Sequence, residues 1–234
     1  MSILLSLPQA AGAMPNLTDT LAQTPQAAEL SVIDLSVKGG WIMLVLLALS
    51  LIACYLFVQR LLVIRRAGKQ DESFMNRIKD YIHEGKVDSA MNLCRSVPTP
   101  AARMIEKGIS RLGRPMNDVM VAIENVGNIE VAKLEKGFPI IATIAAGAPM
   151  IGFLGTVTGM VKAFFDMANA GANVDITLLS SGIYEALVTT VGGLVVGIIV
   201  LFAYNYLVSQ VDNVVNKMES NTMEFMDLLN EPAN

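Results

Sequence analysis

Charged residues are scarce in this chain, and so are the residue types on which most enzyme sites depend. Asp, Glu, Lys and Arg make up 16% of its 234 residues, whereas soluble domains average roughly 25%. The single histidine, His83, lies in a polar stretch and is expected to be a solvated surface residue. Cys54 lies in an apolar run and Cys94 in a charged one, so we expect them to form neither a disulfide nor a metal site.

The sequence also lacks the motifs that carry catalysis or cofactor binding. It contains no Ser-His-Asp set, no metal-ligand cluster, no phosphate-binding loop and no dinucleotide fingerprint. Its basic residues are not interleaved with aromatic ones, which argues against nucleic-acid binding. We therefore expect a protein that is not an enzyme and that has no cofactor, no bound metal and no nucleic-acid partner.

Apolar side chains are abundant, at 53% of the residues with a mean hydropathy of +0.51. Residues 40–58 contain no charge, and about 19 helical residues at 1.5 Å each cross the roughly 30 Å core of a bilayer. The sequence predicts an all-α membrane protein with three spans and lipid around them. We place the first span at 38–64, the second at 138–166 and the third at 178–208.

The distribution of basic residues predicts how the spans are oriented. Arg60, Arg65 and Arg66 follow the first span directly, so the positive-inside rule places this end in the cytoplasm. Most of the 17 Lys and Arg residues lie in 65–137, which is predicted to be a cytoplasmic helical region. Residues 167–177 carry no Lys or Arg and are predicted to form a periplasmic turn. The predicted topology has the N-terminus outside and the C-terminus inside.

The two ends of the chain are interpreted within this topology. Residues 1–37 are predicted to be a periplasmic segment, with a cleaved signal peptide as the alternative; its apolar run is short and no Lys or Arg precedes it. Residues 209–234 are predicted to form a cytoplasmic C-terminal helix with a heptad-like apolar seam. The seam consists of Val211, Val215, Met218, Thr222, Phe225 and Leu229.

The region between the first two spans contains several amphipathic helical patterns. They predict a packet of two or three helices, followed by a helix that continues into the second span without a stop signal. The packet is marked by Phe74, Ile78, Ile82, Val87, Met91, Met104, Ile105, Ile109 and Leu112, and the following helix by Val119, Ile123 and Val126.

The second and third spans are rich in small residues, including a GxxxG pair in each. Such spacing permits close contact between helices in a membrane. The candidate packing glycines are Gly152, Gly155, Gly159, Gly193 and Gly197.

Four polar residues in these spans are candidates for a proton path: Thr156, Glu185, Thr189 and Thr190. The threonines either bond back to their own helices at a packed interface or line a hydrated path. Glu185 is either near the outer interface and reached by water, or buried and in need of a polar partner. It lies off the centre of the span, so an acid that relays protons is expected to come from another chain.

Two long motifs carry a resemblance to a known family. The first reads APMIGFLGTVTGMVKAF at 148–164, and the second reads GIYEALVTTVGGLVVGIIVLFAYN at 182–205. Together with the three-span layout, they resemble the signature of the ExbB/TolQ/MotA proton-channel family. By motif position, Thr156, Glu185 and Thr190 match the family's pore-lining polar residues, whereas Thr189 stands where the family often has Ala.

The resemblance implies a function in energy transduction at the bacterial inner membrane. Such proteins form a homo-pentamer around a dimer of a single-span partner, ExbD-like or TolR-like, which supplies the membrane aspartate. Proton motive force then drives a TonB-like protein in outer-membrane transport, or the Tol system. The long segment before the first span favours the ExbB type; the alternatives are a TolQ-like or gliding-type motor subunit and, from a different class, a passive membrane scaffold.

Overall fold

The computed structural model describes residues 40–69, 73–169 and 176–230. The predictions for residues 1–37, for positions 170–175 of the turn and for the last four residues lie outside this part of the chain. The described residues are helical, without strands, and the helices are α1 Gly40–Ala67, α2 Ser73–His83, α3 Val87–Ser96, α4 Pro100–Ile109, α5 Met116–Leu134, α6 Phe138–Asn169 and α7 Ile176–Asn230.

Three of the described helices are long and apolar enough to cross a membrane, which confirms the prediction of an all-helical chain with three candidate spans. They are α1, α6 and the first part of α7. α6 and α7 form an antiparallel hairpin, and α1 packs against both of them. On α1, Ile42 and Leu46 are buried against Ala148 of α6, while Leu44, Leu47 and Leu51 remain exposed, as expected for a face in contact with lipid.

The predicted continuous helix through the second span is wrong, because the chain turns between α5 and α6. α5 ends at Leu134 and α6 begins at Phe138. Between them Gly137 adopts a φ of 92°, a left-handed conformation that ends a helix and is readily available only to glycine. α5 and α6 are therefore two helices joined by a short turn.

The helices α2 to α5 pack with residues 209–230 of α7 into a unit that we call the distal bundle. Its core contains large side chains that are almost completely buried, including Phe74, Ile105, Ile123 and Phe225. The heptad-like seam of α7 faces this core: Val211, Met218, Thr222 and Phe225 are buried, and Val215 and Leu229 partly so. Val87 departs from its pattern and is exposed.

Polar groups inside the distal bundle have partners or remain neutral. Glu130, with a side chain 4% exposed, accepts from Arg103 at 2.8 Å and from Lys133 at 2.7 Å, so its buried charge is paired. Burial raises the pKa of the Cys94 thiol to about 12, and the nearby Glu106 carboxylate adds to the effect. Cys94 therefore stays a protonated, unreactive thiol at neutral pH, and both it and Cys54 are free.

Candidate functional site

The hairpin of α6 and α7 is held together along a line of small residues that we call the small-residue seam. Helices in lipid gain nothing from burying apolar surface against each other, so they associate through close packing and polar contacts. The seam is formed on α6 by Pro149, Gly152, Gly155, Gly159 and Ala163, and on α7 by Gly182, Ala186, Thr189, Gly193 and Gly197.

At the centre of the seam the two backbones are in direct contact. A Cβ placed on Gly193 would lie 2.6 Å from the carbonyl oxygen of Ala148 and 2.8 Å from the Cα of Gly152. A Cβ on Gly152 would lie 2.7 Å from the carbonyl oxygen of Thr189. These neighbours are backbone atoms that cannot rotate away, so no residue larger than glycine fits at either position without separating the helices.

The seam continues toward both ends of the hairpin. Gly197 lies against the ring of Pro149, and its Cβ position is 3.1 Å from the carbonyl oxygen of Ala145. Pro149 has no N–H to give that carbonyl, so the close approach of α7 covers a weakened point of α6. At the other end Gly182 lies against Ala163. The sequence patterns did not single out Gly182, although it continues the same face of α7 one turn before Ala186.

A cluster of three hydroxyls bridges the helices beside Gly152. Thr156 and Thr190 share a hydrogen bond between their hydroxyls. The carbonyl oxygen of Gly152 accepts from Thr189 at 3.2 Å and from Thr190 at 3.3 Å. The carbonyl oxygen of Ala186 lies 2.6 Å from the Thr189 hydroxyl and 3.1 Å from that of Thr156, so the one proton of Thr189 is shared between the carbonyls of Ala186 and Gly152. The hydroxyls thus crosslink the two backbones.

The three threonines differ in what else they can contact. Thr189 is 2% exposed and already donates inside the hairpin, so it is placed to hold the helices together. Thr156 and Thr190 are only partly buried. A hydroxyl can donate one hydrogen bond and accept two, so these two side chains retain capacity for water or for another chain. Thr156 and Thr190 can therefore pack at the helix interface and also line a hydrated path.

Glu185 lies one helical turn before Thr189, toward the end of the hairpin where α7 begins. It is partly buried and lines a cavity of about 200 Å³ together with Gly40, Lys162 and Thr189. Its Oε1 lies 2.8 Å from the position that a Cβ on Gly40 would occupy, and Gly40 has a φ of 64°. The structure therefore places Glu185 in an open cavity near the start of α1, consistent with the outer-interface alternative. It does not bring Glu185 to the pair formed by Thr156 and Thr190.

The described residues contain no group of His, Cys, Asp or Glu side chains that could hold a metal ion. Within the three spans, the only acidic side chains of the described residues are Asp166 and Glu185, both near the end of the hairpin where α6 ends and α7 begins. The middle of the described membrane region therefore offers hydroxyls and backbone carbonyls but no carboxylate.

Comparison with known proteins gives one family match and several relatives. The model of the MotA/TolQ/ExbB proton channel family matches residues 96–220. The chain is 31% identical over 192 residues to the biopolymer transport protein ExbB-like 1 of Synechocystis sp., covering 81% of this chain and 73% of that protein. It is 28% identical over 222 residues to the Tol-Pal system protein TolQ of Haemophilus influenzae, covering 88% and 96%. It is 27% identical over 180 residues to the biopolymer transport protein ExbB of Neisseria meningitidis, covering 71% and 80%.

Proposed function

Since the chain belongs to the MotA/TolQ/ExbB proton channel family, we propose that it is the channel subunit of a bacterial inner-membrane motor that converts proton motive force into mechanical work. The family is one of proton channels rather than of enzymes. In the proposal, a homo-pentamer of this chain surrounds an ExbD-like single-span partner and energises a TonB-like protein for outer-membrane transport.

The hydrogen bond between Thr156 and Thr190 is the observation that carries the proposal. It joins two helices across the middle of the hairpin, and both side chains stay partly accessible. With Glu185 at one end, they form the polar part of a path, and Thr189 supports them from inside the seam. No carboxylate lies between them in the described spans, so the group that takes and releases the proton belongs to the partner. A membrane aspartate in the ExbD-like chain fits this requirement.

The proposed orientation has the N-terminus in the periplasm and the distal bundle in the cytoplasm. It follows from Arg60, Arg65 and Arg66 at the distal end of the apolar stretch of α1. The surface supports assembly with further chains. Phe153 and Phe202 are exposed in the spans, and Val121, Ile129 and Met223 are exposed on the distal bundle, so apolar area is available both to lipid and to neighbouring copies.

The second candidate is a TolQ-like subunit of the Tol-Pal system. The observation in its favour is that the TolQ of Haemophilus influenzae is matched over 96% of its length. Expressing this chain with its partner in bacteria that lack either ExbB or TolQ separates the two. Restored TonB-dependent uptake supports the ExbB type, and restored envelope integrity alone supports the TolQ type.

The proton path is tested by removing its hydroxyls and its carboxylate. We expect the double variant Thr156→Ala with Thr190→Ala to reduce partner-dependent proton flux by about tenfold or more, the effect of losing a hydrogen bond worth roughly 1.4 kcal/mol. Glu185→Ala, which removes the carboxylate at the end of the path, should also reduce the flux. Proton flux is measured in vesicles that contain the full-length chain and its partner. The oligomer should still assemble, as judged by size-exclusion chromatography.

Thr143→Ala is the matched control, because Thr143 is exposed on α6 and donates only to the carbonyl oxygen of Pro139 at 2.7 Å. Its proton flux should stay at the wild-type level. Normal flux in the double variant and in Glu185→Ala would refute the channel role and leave the passive scaffold, for which only the packing glycines matter.

A further inference from the structure

We propose that Arg60, at the distal end of the apolar stretch of α1, binds the phosphate of an anionic lipid headgroup. Its guanidinium lies against the turn between α5 and α6, where nothing in the described part of the chain pairs with it. The proposal concerns a lipid site that is independent of proton movement. It uses the proposed orientation only to place the site in the cytoplasmic leaflet.

The depth of Arg60 matches the headgroup region of a bilayer. The charge-free stretch of α1 ends at Val58, two residues before Arg60. Aromatic side chains cluster at the same level: Phe57 lies 6.4 Å from Tyr206 between ring centroids, and Phe138 lies 6.0 Å from Tyr204. Tyrosine is enriched at the boundary between hydrocarbon and headgroups, so these rings indicate where lipid phosphates are found.

Arg60 has no partner among the described residues. Its Nε is buried and makes no hydrogen bond, and it takes part in no ion pair there. Glu130, a carboxylate one turn before the end of α5, is already held by Arg103 and Lys133. A guanidinium is always charged and carries five N–H donors. Arg60 is only partly buried, so the accessible donors of its guanidinium are open to an acceptor from outside the described chain, such as a phosphate.

The turn between α5 and α6 packs against one side of the guanidinium. Gly137 contributes no side chain, and the position of a Cβ on it would be 3.4 Å from the Nε of Arg60. Lys136, the preceding residue, is exposed and adds a second cation to the same turn. Glu135 is also exposed, at the C-terminal end of α5. At the turn there is thus one acidic side chain, Glu135, beside two basic ones, Arg60 and Lys136. The local charge is positive, which favours an anion.

The chemistry of the guanidinium suits phosphate. The planar fork of a guanidinium donates two parallel hydrogen bonds to a phosphate, which an ammonium group cannot do. Basic pockets between membrane helices on the cytoplasmic side bind the headgroups of anionic lipids. At this depth, a phosphodiester of phosphatidylglycerol can reach the guanidinium while its acyl chains lie along the exposed apolar face of α1.

The proposal is tested by lipid retention in the full-length protein. The wild type is purified in detergent, equilibrated with equal amounts of phosphatidylglycerol and phosphatidylcholine, and analysed by native mass spectrometry. We expect the wild type to retain phosphatidylglycerol in preference to phosphatidylcholine. Arg60→Gln should reduce this retention by about tenfold, which is the expected effect of losing one charge-assisted hydrogen bond. Arg66→Gln removes the same charge from an exposed position on the last turn of α1 and should retain lipid like the wild type.

Arg60→Lys keeps the charge but lacks the planar guanidinium, so its loss of phosphatidylglycerol retention should be intermediate. This variant also decides the result if Arg60→Gln does not fold. Equal retention in Arg60→Gln, Arg66→Gln and the wild type would overturn the proposal. Displacement of phosphatidylglycerol by an excess of inorganic phosphate, without a preference between the two lipids, would assign the site to free phosphate and also overturn it. Thr156→Ala with Thr190→Ala should retain lipid normally, so failure of the proton path and failure of the lipid site are distinguishable.

Discussion

The hairpin of α6 and α7 and the distal bundle are both helical, but they are held together by opposite means. The small-residue seam brings backbones into contact through Gly152 and Gly193 and adds hydroxyl bonds across the gap. The distal bundle instead buries large side chains such as Phe74, Ile105 and Phe225. In lipid the removal of apolar surface from water is not available as a driving force, whereas in water it dominates. The two regions should therefore respond in opposite ways to added and removed atoms.

The largest effect is expected where a large side chain is removed from the distal bundle. Phe225 is completely buried, and its ring lies directly beside Gly108, so Phe225→Ala leaves a cavity and should cost about 3–5 kcal/mol. Hydrogen exchange measured on the full-length protein in detergent reports this loss in the amides of the distal bundle. Met223→Ala, at a position 64% exposed on the same helix, should change protection by less than about 0.5 kcal/mol. Equal effects of the two variants would contradict the cavity mechanism.

A smaller loss is expected where one methyl group is added to the seam. Gly193→Ala places a Cβ against the backbone of α6, and such overpacking costs about 1–3 kcal/mol. The measurement is resistance of the hairpin to unfolding in mixed detergent micelles.

Gly147→Ala is the control on the facing helix. A Cβ there meets nothing within 4 Å, so the variant should be neutral or more stable, because Ala exceeds Gly in helix propensity by roughly 1 kcal/mol. If both variants stabilised the hairpin, the close contact at Gly193 would not exist.

The smallest effect is expected from the removal of a single hydroxyl in the seam. Thr189→Val keeps the shape of the side chain but loses the hydrogen bonds to the carbonyls of Gly152 and Ala186. Polar contacts between membrane helices average about 0.6 kcal/mol and reach about 1.7, so a loss in this range is expected in the same micelle assay. Thr143→Val, at an exposed position, should lie within the error of the wild type. A loss at Thr189 larger than that at Gly193 would reverse the proposed order of the contacts.

The sequence predicts the number of candidate spans but not the turn before α6. A charge-free apolar stretch as long as residues 40–58 is typical of a membrane span. The helix α1, from Gly40 to Ala67, contains all of it. The turn at Gly137 was missed because the apolar periodicity of α5 continues toward the membrane. The local signals were a glycine that can end one helix and Pro139, which fits the first turn of the next.

The polar residues of the spans can be picked out from the sequence, but their contacts cannot. Polar residues in a membrane helix stand out against an apolar background, so Thr156, Glu185, Thr189 and Thr190 were identifiable. Which hydroxyl bonds to which carbonyl depends on how α6 and α7 are rotated against each other, and that follows from the summed fit of all the small residues. Spacing on one helix places Thr189 on the same face as Glu185, and both line one cavity. It gives no indication that the Thr189 hydroxyl is directed to Gly152 on the other helix.

The uninterrupted course of α7 has a mechanical consequence. Its 55 residues contain no proline, and none of those after Gly197 is a glycine, so the stretch from Ile198 to Phe225 is a stiff rod about 40 Å long. α5 and α6, by contrast, are jointed at Gly137. A tilt of about 5° at the membrane end would sweep the far end of such a rod through roughly 4 Å. Such a helix would thus turn a small tilt near the membrane into a movement as large as a side chain at the other end of the molecule.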